Sequence, residues 1–357
     1  MSLVLPFRSV PDTSGPSCLL LPSRGEPATD QPDGAGQVRD INPAYLEFVQ
    51  TERNSWRGFG WVLGGGGGLM CLLMLAPLVW SMVHAAPKVG PLVAYGLSAF
   101  VMLLPLVGAF IAYRAARLPM APVILSRRLR RFYYWKDRKS GWVSVDYDRA
   151  VALINMNVVA TQAGGYVGFR LHVVDMEPAG RRILAQIPVS EAARSHEVGC
   201  GLWEFIRRYM DRSQKQLPAV PYRPLPGDRA SLYARIERDI YTGYVDAEHR
   251  LPPGFFHTFY FGFSAMLEYW YYRAMAWIER TAPRPALPPE LTEAMTWEGD
   301  NPYTITPPTG LERDAMEGRL PQVNARWRVA HVLSTLLYGG AFVGMVWMGW
   351  SMAAELG

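Results

Sequence analysis

Three long stretches without a charged side chain constrain this chain more than anything else in it. Gly58 to Pro87, Val89 to Tyr113 and Val329 to Ala354 hold no Asp, Glu, Lys or Arg. A helix needs about 20 apolar residues to cross a hydrocarbon core of about 30 Å, so each stretch is long enough to span. The spans are expected near 59–83, 90–113 and 329–352. Between the second and third lies a block of ordinary globular composition. The expected class is therefore an α+β membrane protein. It comprises an N-terminal transmembrane helical hairpin (46–117), a soluble β-rich domain (118–215), a Pro-rich linker with an aromatic helical region (216–325) and one C-terminal transmembrane helix (326–357). Residues 1–45 are rich in Pro, Gly, Ser and Asp, lack the pattern of a cleaved leader and read as a disordered tail.

Arginine placement sets the expected orientation, because short loops rich in Lys and Arg stay in the cytoplasm. Arg114, Arg117, Arg127, Arg128, Arg130 and Arg131 follow the second stretch, and Arg319, Arg326 and Arg328 precede the third. The connector between the first two offers only Lys88. The N-terminus and the soluble domain are thus expected on the cytoplasmic side. Trp56, Trp61, Trp80, Trp327, Trp347 and Trp350 stand near span ends, where amphipathic rings are favoured. The cluster Arg127, Arg128, Arg130 and Arg131 has two readings: a topology-setting flank, or a patch attracting anionic lipid headgroups at about 1 kcal/mol per charge. Only four of the 36 basic residues are lysines, a compositional bias of the kind GC-rich bacterial genomes impose. The net charge of +5 is therefore no argument for nucleic-acid binding, and no nucleic-acid partner is expected.

Within the spans, Gly64 and Gly68 and again Gly340 and Gly344 have the small-xxx-small spacing that lets helix backbones approach closely. They serve either packing inside one chain or a homo-oligomer interface. Pro77 and Pro105 are expected to kink their helices.

In the soluble block the hydrophobic period changes to two. Arg131-Phe132-Tyr133-Tyr134-Trp135 and Trp142-Val143-Ser144-Val145 flank a polar, Gly-containing turn and read as a hairpin. Further strands are expected at about 151–155, 166–174 and 182–188, with Asn157 to Gly165 as a turn. A helix is expected from Ser190, with Leu202, Phe205, Ile206 and Tyr209 as its apolar face. Strands closed by one helix match a small split barrel of the pleckstrin-homology type. Residues 217–226 read as a stiff Pro-rich linker, and 231–241 as a short charged helix. The aromatic run 254–280 has helical spacing and three readings: a core helix of the soluble domain, a helix in the membrane interface, or a fourth span. LPPELTEAM within 287–295 reads as a short helix.

No catalytic signature is present: no phosphate loop, HExxH metal helix, GxSxG elbow or kinase set. The histidines are dispersed, and Cys18, Cys71 and Cys200 have neither metal nor disulfide spacing. Cys200, between two glycines, is the thiol whose reactivity merits a test. No cofactor, no metal and no enzymatic activity are expected.

The N-terminal membrane hairpin, the segment RRLRRFYYWKDRKSGWVSVDYDRAVALI, the stretch WIERTAPRPALPPELTEAMTWEGDNPY and the hydrophobic C-terminus together resemble an uncharacterised family of bacterial inner-membrane proteins. Its members are often encoded beside type VI secretion and polymorphic-toxin genes. The resemblance covers most of residues 45–357 and carries over no active site. It implies an immunity or accessory protein whose cytoplasmic domain binds a protein partner, a toxin or secretion component, with membrane lipids as its surroundings. Tyr133, Tyr134, Trp135 and Trp142 are the candidate anchors of that interface. A lipid-sensing scaffold and a membrane-perturbing effector are the alternatives.

Overall fold

The computed structural model describes residues 18–22, 26–34, 36–49, 57–161, 164–177, 182–211, 217–221, 255–307, 313, 317, 319 and 321–356. The chain divides into a mixed α+β unit and a helical unit, and each is assembled from separated stretches of sequence.

The first unit draws on Met1–Arg53, Pro119–Arg223 and Arg284–Pro307. Its five-stranded sheet is an antiparallel meander of β2 (Val38–Ile41), β3 (Tyr45–Phe48), β4 (Val123–Ser126), β5 (Arg131–Asp137) and β6 (Gly141–Asp146). Its four-stranded sheet runs β1 (Cys18–Leu20), β7 (Val151–Thr161), β8 (Gly164–Met176), β9 (Ile183–Pro188). The expected hairpin is β5–β6, with Trp135 directly opposite Trp142. Its turn is made by Asp137, whose Oδ1 accepts from the amides of Lys139 at 2.8 Å and Ser140 at 2.6 Å. Gly141 closes it at φ +68°, where a Cβ would be strained.

The amphipathic helix α3 (His196–Asp211) lays Leu202, Phe205, Ile206 and Tyr209 into a core shared with both sheets, all four with no exposed surface. Gly199 lets it sit close to β7, since a Cβ there would lie 2.8 Å from Ile154 Cδ1.

Several expectations require correction here. Among the described residues β1–β9 form two open sheets and neither closes on itself, so they form no small barrel. The reason lies in the segment expected to be disordered. Residues 18–48 contribute β1, β2 and β3, which extend both sheets past the strands the soluble block supplies. Polar composition hid two four-residue strands joined by a tight Asx turn, in which Asn42 Oδ1 accepts from the amides of Ala44 and Tyr45 at 2.8 and 3.1 Å. Residues 1–17 lie outside the described residues. The turn expected at 157–165 is instead strand on both sides, leaving only Gln162 and Ala163 between β7 and β8. The β-branched pair Val158-Val159 favours the extended ladder over a loop. The helix starts at His196 rather than Ser190, because the Ser190 hydroxyl accepts from Leu171 N at 2.8 Å and donates to Glu191 O at 2.8 Å. Ser195 supports the true start, accepting from Glu197 N at 3.1 Å.

The short strand β10 (Val220–Pro221), in the expected linker, pairs in parallel with β11 (Ile305–Thr306). The helix expected at 231–241 lies outside the described residues.

The second unit is helical. Among the described residues, three of its helices are long and apolar enough to cross a membrane: Arg57–His84, Pro91–Arg117 and Arg328–Ser351. The first contains a π-helical segment at Val62–Gly67, which includes four of the five consecutive glycines, and then α1 (Gly68–Val89). The second is α2 (Pro91–Arg117), and the third lies in α6 (Pro321–Leu356). The first two are antiparallel, and Arg57 Nη1 donates to Leu118 O at 2.7 Å. Gly64 and Gly68 meet Gly108 backbone to backbone: a Cβ on Gly64 would lie 2.7 Å from Gly108 O, and one on Gly68 would lie 3.2 Å from Gly108 Cα. Among the described residues nothing lies within 4 Å of a Cβ added to Gly340 or Gly344, whereas one added to Gly349 would lie 2.5 Å from Met74 O.

The aromatic run forms α4 (Phe255–Thr281) and belongs to this helical unit, which removes the reading of it as a core helix of the soluble domain. Its aromatic residues explain the placement. Tyr269 stacks on His331 at 4.9 Å, Trp277 lies 5.5 Å from Trp61, and a Cβ on Gly58 would fall 2.4 Å from Met275 Cγ. With its charges at Arg273, Glu279 and Arg280, α4 is not among the three helices apolar enough to span.

Candidate functional site

Alternation along the five-stranded sheet gives it two different faces. Leu46, Phe48, Val123, Leu125, Phe132 and Val145 point into the core shared with α3. Ile124 and Tyr133 point the other way and form a separate apolar cluster with Leu291, joined at its margin by Tyr45, Leu129, Trp142, Leu287 and Met295. This second face is covered by a strap, Arg284–Pro307, which carries the short helix α5 (Pro289–Met295).

The chemistry of α5 follows from its sequence. Pro289 occupies the first turn, where its missing amide costs nothing, and Leu291 N donates to Pro288 O at 3.0 Å. Leu287, Leu291 and Met295 recur every four residues and line the side facing the sheet, with Leu291 fully buried. Glu290, one residue earlier, accepts from Tyr133 Oη at 2.8 Å. Burial foremost, and that acceptor second, push the Tyr133 phenol up to about 12. Trp142 Nε1 donates to Ala286 O at 2.7 Å. Farther along, Asn301 Nδ2 donates to Ile41 O at 2.7 Å and the Tyr303 ring packs 5.6 Å from Tyr209.

The four aromatic candidates therefore divide. Tyr133 is buried beneath α5, and Tyr134 packs against the main core. Trp135 and Trp142 remain part-exposed and meet edge to face at 5.8 Å, on the face that carries α5.

The four arginines divide as well. Arg127 donates to Tyr303 Oη at 3.0 Å and lies 5.3 Å from the Tyr209 ring centroid. Arg130 forks onto Asp148 at 2.7 and 2.8 Å, reaches Asp211 at 2.9 Å and lies over the Tyr147 ring. These contacts hold Arg130 at φ +49°, a conformation an L residue rarely adopts. Arg128 sits 5.9 Å from the Trp297 ring centroid, and Arg131 is exposed. The cluster is thus largely spent on joining β4, β6, α3 and the strap.

No group of three His, Cys, Asp or Glu side chains able to hold a metal occurs among the described residues. Burial foremost and Glu197 second push the Cys200 thiol up to about 11, away from a reactive thiolate. Sequence reasoning found the aromatic hairpin but missed the cover on it. The signal was there in Leu287, Leu291 and Met295 at four-residue spacing.

Comparison with protein families, with curated proteins and with solved structures found no match for this chain.

Proposed function

We propose that this chain is a multi-pass bacterial inner-membrane protein whose α+β unit faces the cytoplasm and binds a protein partner. The family resemblance makes that partner a toxin or secretion component, and the chain an immunity or accessory protein. The observation that carries the binding reading is the Trp135–Trp142 pair, part-exposed and held in a fixed edge-to-face geometry at 5.8 Å. Rigid aromatic anchors beside Arg side chains dominate protein interfaces, and Arg138 and Arg131 lie on the same hairpin. Internal contacts of Arg127 and Arg130 weigh against a headgroup-binding patch as the main use of the arginines.

The test is capture of the full-length tagged protein from its native membrane in mild detergent, alongside the Trp135→Ala variant. The expected result is one stoichiometric protein partner with wild type and its loss with the variant. Recovery of the chain with lipid alone overturns the reading.

A further inference from the structure

The outer face of the five-stranded sheet is occupied by a segment of the same chain that has the form of a ligand. α5 and the turn before it present Leu287, Leu291 and Met295 at four-residue spacing to Ile124, Tyr133 and Trp142, and α5 adds one acid, Glu290, for the Tyr133 hydroxyl. An amphipathic helix laying such anchors into an apolar face is a recurring mode of peptide recognition. We propose that this face is a helix-docking surface, that Arg284–Met295 is its built-in pseudo-ligand, and that a partner helix with the pattern Leu-x-x-Glu-Leu-x-x-x-Met displaces it. The inference rests on the partner-binding reading above and names the chemistry of the partner.

Three features make α5 a releasable cover rather than a fixed part of the core. Its apolar cluster is separate from the main core, which lies on the opposite face of the sheet and keeps Phe132, Leu125 and Val145 buried without it. At seven residues α5 is far below the length at which a helix holds itself together, so it depends on the surface it covers. The strap is also held independently at its far end, where Asn301 reaches Ile41 O, Tyr303 packs into the main core and β11 pairs with β10. Between the two attachments, Trp297 to Asn301 is exposed loop. Release of 284–295 therefore leaves the strap tethered and the cover close by, at an effective concentration of about the millimolar order. Only a partner that engages the same anchors well competes with that.

The test needs no natural partner, so its failure is distinct from failure of the capture experiment. A fluorescent synthetic peptide of residues 284–298 is titrated onto the full-length protein in mild detergent. Wild type is compared with the Leu287→Ser/Leu291→Ser variant, in which the cover has lost its anchors. The expected result is peptide binding at least about 10-fold tighter to the variant than to wild type. A control peptide carrying the same two Leu→Ser changes should not bind. No binding to a variant whose β4–β5 amides stay protected from hydrogen exchange overturns the proposal, as does equal binding of the two peptides. Wild type alone gives a second measurement that does not depend on the variant folding. The amides of Leu291, Thr292 and Thr296 should exchange at least about 10-fold faster than those of the β4–β5 ladder. Exchange of both sets at one common rate means that the cover opens only when the unit unfolds, and that also overturns the proposal.

Discussion

Acidification should destabilise the α+β unit through one histidine. His172 lies on β8, 8% exposed, facing Leu153 and away from the main core. Gln186 Nε2 lies 2.7 Å from its Nδ1 and donates to it, which puts the ring proton on Nε2, a buried atom with no partner among the described residues. Burial foremost and the charge of Arg170 second push the imidazole down from 6.5 to about 3. Protonation would also remove the acceptor that Gln186 uses. In the unfolded chain the group returns to about 6.5. The unfolded state therefore binds more protons at every pH between the two values, and stability falls as pH drops through 6.5 and goes on falling towards 3. Between pH 7.5 and 5.0 that loss is about 2 kcal/mol. Carboxylates elsewhere contribute their own pH dependence, so the decisive quantity is a difference. Chemical denaturation of the full-length protein and of His172→Leu, in one detergent at both pH values, isolates the histidine. Leucine suits the site because Leu153 and Val174 already line it. Wild type should lose about 2 kcal/mol more than the variant on acidification. Equal losses would refute the reasoning.

Three further substitutions test the packing. Glu204, 1% exposed, accepts from Arg207 at 3.2 Å and Arg208 at 3.1 Å, so Glu204→Ala takes the carboxylate from both, leaving Arg207 its bond to Glu26 O, and should cost about 3 kcal/mol in a denaturation experiment. Gly108→Leu places a Cβ 2.7 Å from the backbone oxygen of Gly64, which cannot move aside, and should destabilise the α1–α2 hairpin by about 1–3 kcal/mol or more. Gly340→Leu, where none of the described residues lies within 4 Å of the added Cβ, should leave thermal unfolding in detergent unchanged.

What the sequence disclosed depended on how locally each feature is determined. Long uncharged runs, the β5–β6 hairpin and the apolar face of α3 each rest on a period within one segment, and each was readable. Strands β1, β2 and β3 were not, because three or four residues such as Tyr45–Phe48 carry too little pattern to stand out from a polar segment. They become strands only through partners far along the chain: Phe48 pairs with Val123, and Cys18 with Asn155. The failure of the barrel expectation has the same origin, since sheet closure is a property of which strands meet. The arginine cluster looked like a charged patch because its partners, Asp148, Asp211 and Tyr303, lie on other elements. For the aromatic site, residue type alone could not separate Tyr133 under its cover from Trp135 beside it.

The direct pairing of β3 with β4 has a consequence for how this protein is made. These neighbouring strands bracket the first two apolar helices, so Phe48 and Val123 must end on the same side of any membrane those helices cross. Two of the five strands, β2 and β3, are synthesised before those helices, and β3 meets β4 only after both helices have been made. The strap then arrives only after α4. Completion of the five-stranded sheet thus depends on the chain returning after both helices: without β4, the β3 edge on which Phe48 meets Val123 stays unpaired.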